Sequence, residues 1–186
     1  MRASEAIRGR RSIKRFADRP VSRAELETIL DAAVLAPNHR LTNPWRFYVL
    51  GPEARSAYGA ALGSRKAKKL TDPEAAQRMR DTVAAEHRAL PGMIAVAVVD
   101  AADPEQREED YAATMMAVQT LCLAATELGL GTAIKTGAIM SDPAARAAAG
   151  VGDGERIVAV INVGVPAEVP PAKARHPASQ VTIWRP

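Results

Sequence analysis

The sequence predicts a mixed α/β or α+β fold in which helices cover a central sheet, with residues 1–186 forming one domain. Three observations predict it. "MIAVAVVD" (93–100) and "RIVAVINVG" (156–164) are continuous apolar runs, the mark of strands covered on both faces. Helical periodicities lie between the strand candidates instead of in a separate half. A length of 186 residues suits a single hydrophobic core.

In chain order, a short amphipathic helix is expected from Ser4, as N-cap, to Gly9. In "DRPVSRAELETILDAAVLAP", Ser22 and Glu25 have capping-box spacing, and Leu26, Ile29, Leu30, Ala33 and Val34 recur at helical intervals until Pro37. "NHRLTNP" reads as a loop and "WRFYVLG" (45–51) as a strand. Residues 52–64 and 73–90 read as surface helices. From Pro104 to Leu130 runs the longest helical candidate, apolar nearly all round in its second half, which requires burial in a core or an interface. "TAIKTG" (132–137) is a short strand and "SDPAARAAAG" a helix capped by Ser141. The tail "VPAEVPPAKARHPASQVTIWRP" is too proline-rich for a long helix, yet Val181, Ile183 and Trp184 call for burial, as in an extended arm laid on a neighbouring surface such as a partner subunit.

Composition narrows the function classes. Lys and Arg number 25 against 21 Asp and Glu, a net charge of +4, and aromatics make up 4%. That balance, without a readout motif, argues against a nucleic-acid protein. No run reaches the ~20 apolar residues of a membrane span and "MRASEAIRGRRS" lacks the apolar centre of a signal peptide, so a cytoplasmic location is the expectation. The single cysteine, Cys122, lies in the apolar run "MMAVQTLCLAATELGLG", as a core thiol would, and no Cys/His pair has metal-ligand spacing.

Phosphate-loop, dinucleotide, nucleophile-elbow and paired-histidine motifs are all missing. "GLGTAIKTG" follows a helix and by itself reads as a turn and a strand. "GRRSIKRF" is the concentrated feature. Arg10 and Arg11 offer fork-shaped donors, Ser12 a hydroxyl and Lys14 a compact charge, a set suited to phosphate oxygens. On these residues alone, a solvated basic turn with no ligand is the preferred reading. Lys173 and Arg175 form a second basic pair, able to clamp the same anion if the tail folds back. His39, with Asn38 and Asn43 beside it, could hydrogen-bond a ring edge or be merely solvated.

The order "RRSIKRF", "APNHRLTNPWRF", "GLGTAIKTG" and "VGVP…PAKAR" resembles the FMN-dependent nitroreductase family, specifically its short, minimal subgroup of NAD(P)H nitroreductases, from about residue 4 to the C-terminus. The resemblance implies an α+β homodimer whose central, mostly antiparallel sheet is flanked by helices, with a long interface helix and a C-terminal arm on the partner. It implies FMN sites shared between the subunits. Arg10, Arg11, Ser12 and Lys14 would hold the phosphate and the ribityl or ring oxygens, with Lys173 and Arg175 as a second phosphate pair. Pro37, Asn38, His39 and Asn43 would reach the flavin from the other subunit, and Ile134, Lys135, Thr136 and Gly137 would lie beside its ring. Two departures stand out: Asn43 replaces the usual Gln, and Ile134 replaces a frequent Trp, which bears on substrate range.

The implied activity is electron transfer from NADH or NADPH to nitroaromatic, quinone or related acceptors by a ping-pong route. Flavin N5 would carry the chemistry, so no protein residue is expected to be catalytic and no metal is required. Lys14 or Lys135 would stabilise reduced flavin. Two alternatives stay open: a non-enzymatic basic protein for nucleic acid or an acidic partner, and a flavin-destroying or dehalogenating relative.

Overall fold

The computed structural model describes residues 1–186. Its sheet has four strands, β1 (Trp45–Val49), β2 (Gly92–Val99), β3 (Gly131–Lys135) and β4 (Glu155–Gly164), in the order β1-β2-β4-β3 with every pair antiparallel. The class is thus α+β, with helices on both sheet faces. Strand side chains alternate between faces, so the two inner strands serve two cores. Ile94, Val96 and Val98 of β2 join Ile161 and Val163 of β4 in one core, while Met93, Ala95, Ile157 and Val160 belong to the other. This is why both segments read as unbroken apolar runs. The register shifts between Val96 and Ala97, where Val158 of β4 becomes the extra residue of a bulge.

The first core is closed by α2 (Arg23–Ala33) and α5 (Pro104–Glu127), which contribute Ile29, Ala33, Ala117, Leu121 and Cys122. Helix α5 buries the stripe Ala113, Ala117, Leu121 and Ala125 and leaves Tyr111 and Met116 on its exposed side. Burial also pushes the Cys122 thiol pKa up, as expected of a core cysteine. The second core is closed by α3 (Pro52–Ala67) and α6 (Pro143–Ala149), with α4 (Pro73–Arg88) packed outside α3.

Helix α2 begins as expected: Ser22 Oγ accepts from the Glu25 N–H at 3.2 Å, and Glu25 accepts from the Ser22 N–H at 2.8 Å. Two other caps differ from expectation. The first helix, α1 (Ala3–Gly9), is preceded by Arg2, not capped by Ser4, because the Glu5 carboxylate takes the Arg2 N–H at 3.0 Å. Helix α6 is capped by Asp142, not Ser141. Asp142 accepts from the Ala144 and Ala145 N–H groups, while Ser141 ends a short 3-10 turn.

Helix α3 is also more than a surface helix, since Tyr58 and Ala61 lie in the core. A Cβ at Gly59 would stand 2.6 Å from the Val83 carbonyl oxygen, so only glycine permits α4 to approach this closely. In the tail, Val181, Ile183 and Trp184 are 76%, 84% and 89% exposed. Their own chain does not cover them.

Candidate functional site

Beyond α1 the chain extends along the start of β3. The Ile13 N–H donates to the Thr132 carbonyl at 2.9 Å, and Ser12 forms a parallel bridge with Thr132. Ile13 is buried, while Ser12 and Lys14 on either side are exposed, as alternation along an extended segment requires. A Cβ at Gly131 would stand 2.3 Å from Ile13 Cγ1, so the missing side chain is what lets the segment lie on β3. The same segment holds the start of the tail. Phe16 bridges Pro166, the Ala17 N–H donates to the Val165 carbonyl and the Ala167 N–H donates to the Arg15 carbonyl. From there Pro170–Arg175 folds back over the basic residues.

The result is a cleft of about 690 Å³, within the range of small-molecule and cofactor sites. Arg10, Arg11, Ser12 and Lys14 line it together with Lys173 and Arg175, so the structure unites the two basic groups from opposite ends of the chain. Ile7, Pro170 and Pro171 supply an apolar rim, and Arg8 adds a further guanidinium. None of these cations forms a salt bridge within the chain. Arg11 is fixed by donating from one terminal nitrogen to the Arg8 and Arg10 carbonyls at 2.6 and 2.9 Å, yet its buried Nε has no hydrogen-bond partner. The one carboxylate in the lining, Glu168, is paired with Arg15. That pairing offsets the charge that would oppose an anion and gives Arg15 its role. Sequence reasoning missed Arg8 and Glu168; only the basic last turn of α1 hinted at the former.

Ile134 and Lys135 end β3, followed by Thr136 and by Gly137 at a φ of 133°. All four residues are exposed, and none lines the cleft. They lie at and just beyond the end of β3, whose opposite end is bridged by Ser12 at Thr132.

Pro37, Asn38, His39 and Asn43 lie outside the cleft. They form a tight loop joining α2 to β1, in which Arg40, Leu41 and Asn43 take φ values of 63°, 50° and 47°. Left-handed backbone of this kind costs about 1–3 kcal/mol at a residue such as Arg40 or Leu41, whereas Asn tolerates it. The Asn38 side chain spans the loop, accepting from the Asn43 N–H at 2.7 Å and donating to Thr42 Oγ1 at 3.0 Å. Asn43 donates from Nδ2 to the Leu41 carbonyl at 3.0 Å. The short Asn43 side chain thus matches a left-handed position immediately before Pro44.

This α+β chain brings residues near both of its ends onto one cleft lined by cations without internal counter-ions, a site suited to an anionic small molecule. Comparison identifies the family: residues 7–165 match the description "Nitroreductase family", and the chain belongs to that family. It is 36% identical over 176 residues to a Bacillus subtilis protein named "Putative NAD(P)H nitroreductase YfhC", covering 93% of this chain and 89% of that one. Among solved structures it resembles a nitroreductase-like family protein from Bacillus cereus, with 30% identity, a TM-score of 0.84 and coverage of 100% and 96%. It also resembles a Desulfovibrio desulfuricans protein described as a "putative nitroreductase in complex with fmn", with 26% identity, a TM-score of 0.73 and coverage of 99% and 96%.

Proposed function

We propose that this protein is an FMN-dependent oxidoreductase that takes electrons from NADH or NADPH and passes them to nitroaromatic, quinone or related acceptors, working as a homodimer. The observation that carries the reading is the junction of Arg10, Arg11, Ser12 and Lys14 with Lys173 and Arg175 in one cleft. The donor set fits FMN: the partnerless Arg11 Nε and the unpaired cations match the several oxygens of a phosphate dianion. Charge-assisted hydrogen bonds contribute about 1.5–3 kcal/mol each. A few of them hold the cofactor by its phosphate end.

Bound FMN would supply the redox chemistry, accepting reducing equivalents from the nicotinamide and passing them to the acceptor in a ping-pong order. The chain's own residues bind and orient. Lys14, two residues from Ser12 along the extended segment, lines the cleft, and Lys135 ends the strand that supports it; either would stand near the ring. Either ammonium offsets negative charge gained on reduction. Backbone N–H groups of Thr136 and Gly137 would hydrogen-bond the ring, and Ile134, 39% exposed, would leave an open wall for varied acceptors. Pro37, Asn38, His39 and Asn43 reach the partner's flavin, the exposed face of α5 packs between subunits, and the uncovered Val181, Ile183 and Trp184 lie on the partner. Residues 1–186 act as one domain.

The test is the anaerobic absorption spectrum of the purified protein. A flavin spectrum that bleaches with NADH or NADPH and returns on adding a nitroaromatic or quinone supports the proposal. Colourless protein that takes up no added FMN, or that shifts nucleic acid instead, overturns it.

A further inference from the structure

The strained loop before β1 is held from outside itself. His39 Nδ1 lies 2.9 Å from Glu109 Oε1, and Arg40 Nε lies 3.6 Å from Glu109 Oε2, a buried oxygen with no hydrogen-bond partner. Next along α5, Asp110 is only 3% exposed, and its Oδ1 accepts from Thr42 Oγ1 at 2.5 Å. Gln106 Nε2 supports the other Asp110 oxygen at 3.4 Å. Left-handed non-glycine residues persist where their surroundings over-determine them. Here two adjacent carboxylates on a rigid core helix take up three of the loop's side chains, while Leu41 between them is pushed out to 79% exposure.

We infer that Glu109 and Asp110 are positioning residues that hold His39, Arg40 and Thr42 in this turn and thereby set how the loop meets a flavin ring. The inference rests on the proposed contact between this loop and FMN. The clamp acts on backbone shape. It leaves the phosphate cleft to its own donors.

The experiment compares Thr42→Val, Glu109→Gln and Thr42→Ser, with Thr114→Val as a control. Thr114 donates to the Asp110 carbonyl at 2.8 Å from inside the core, its only side-chain hydrogen bond. In the FMN-free chain, hydrogen exchange of the two hydrogen-bonded loop amides, Leu41 and Asn43, is expected to quicken about tenfold in Thr42→Val, which loses the bond to Asp110, and in Glu109→Gln, which loses the charge facing His39 and Arg40. Thr42→Ser restores slow exchange and Thr114→Val leaves it slow. With FMN added, the first two variants shift the visible band and weaken binding about three- to tenfold. Unchanged exchange in both variants overturns the clamp. Faster exchange with an unmoved spectrum and affinity overturns its link to the cofactor. A wild-type chain that binds no FMN overturns the proposed function and with it that link, while the exchange data still decide the clamp.

Discussion

The two charged regions of this molecule handle their charges in opposite ways. Where the loop meets α5, His39 and Arg40 lie against Glu109 and Thr42 lies against Asp110. In the cleft, Arg10, Arg11, Lys14, Lys173 and Arg175 have no salt-bridge partner, and the only lining carboxylate is taken by Arg15. Charges that meet within the chain fix shape. Charges brought together without counter-ions carry a standing electrostatic cost, which an incoming anion removes. The difference separates a junction whose charges fix loop shape from a cleft whose charges are left open to an anion.

The largest expected effect breaks the cleft alone. The double variant Arg10→Ala, Lys173→Ala should lower FMN affinity by about 100-fold or more, from about 1.5 kcal/mol per lost charge-assisted bond. Its melting temperature should stay near that of the wild type, because neither side chain has an internal partner. Equilibrium FMN titration and a thermal melt check the two halves. Next comes Gly131→Ala, whose Cβ would collide with Ile13. It should cost about 1–3 kcal/mol of stability and weaken FMN binding as well, because it moves the backbone that carries Ser12. Denaturant unfolding beside the same titration shows whether both change.

How much of this could be read beforehand depended on the physical signal. The sheet was legible because β2 and β4 feed two cores and must be apolar at every position. Helix α2 was legible from Ser22 and Glu25. Both basic groups stood out in the sequence, but their meeting in the cleft rests on the Phe16–Pro166 bridge and adjoining backbone bonds, which leave no side-chain pattern. The burial of α3 was hidden because close approach at Gly59 and small residues such as Ala61 replace the usual large apolar stripe. Three left-handed residues without a glycine among them gave no warning of the tight loop, and the misplaced caps reflect Glu5 drawing Arg2 into the start of α1 and Asp142 taking the first N–H groups of α6 in place of Ser141.

Two smaller effects sharpen the contrast. His87 lies against the Gly59 crossing with Nδ1 2.8 Å from the Val83 carbonyl, and burial holds its pKa below the ordinary 6.5, with Lys66 and Lys135 acting in the same direction and the Val83 hydrogen bond against it. The unfolded chain therefore binds the extra proton more readily. The resulting stability is full above the ordinary pKa and is lost as pH falls through it toward the lower folded value. Melting temperatures recorded between about pH 7 and pH 5 should fall less steeply in His87→Gln than in the wild type. Arg15→Ala should have the smallest effect. It frees Glu168 to face the bound phosphate and should weaken FMN about two- to threefold, an effect that added salt reduces. Glu168→Gln in the same background should restore the affinity.

The central claim, that the unpaired cations of the cleft hold a flavin phosphate, is tested most directly by titrating the FMN-free protein with FMN and with riboflavin, which lacks the phosphate. The account predicts that FMN binds at least about 100-fold more tightly and that Arg10→Ala, Lys173→Ala removes most of the difference. Equal affinity for the two flavins in the wild type would contradict it.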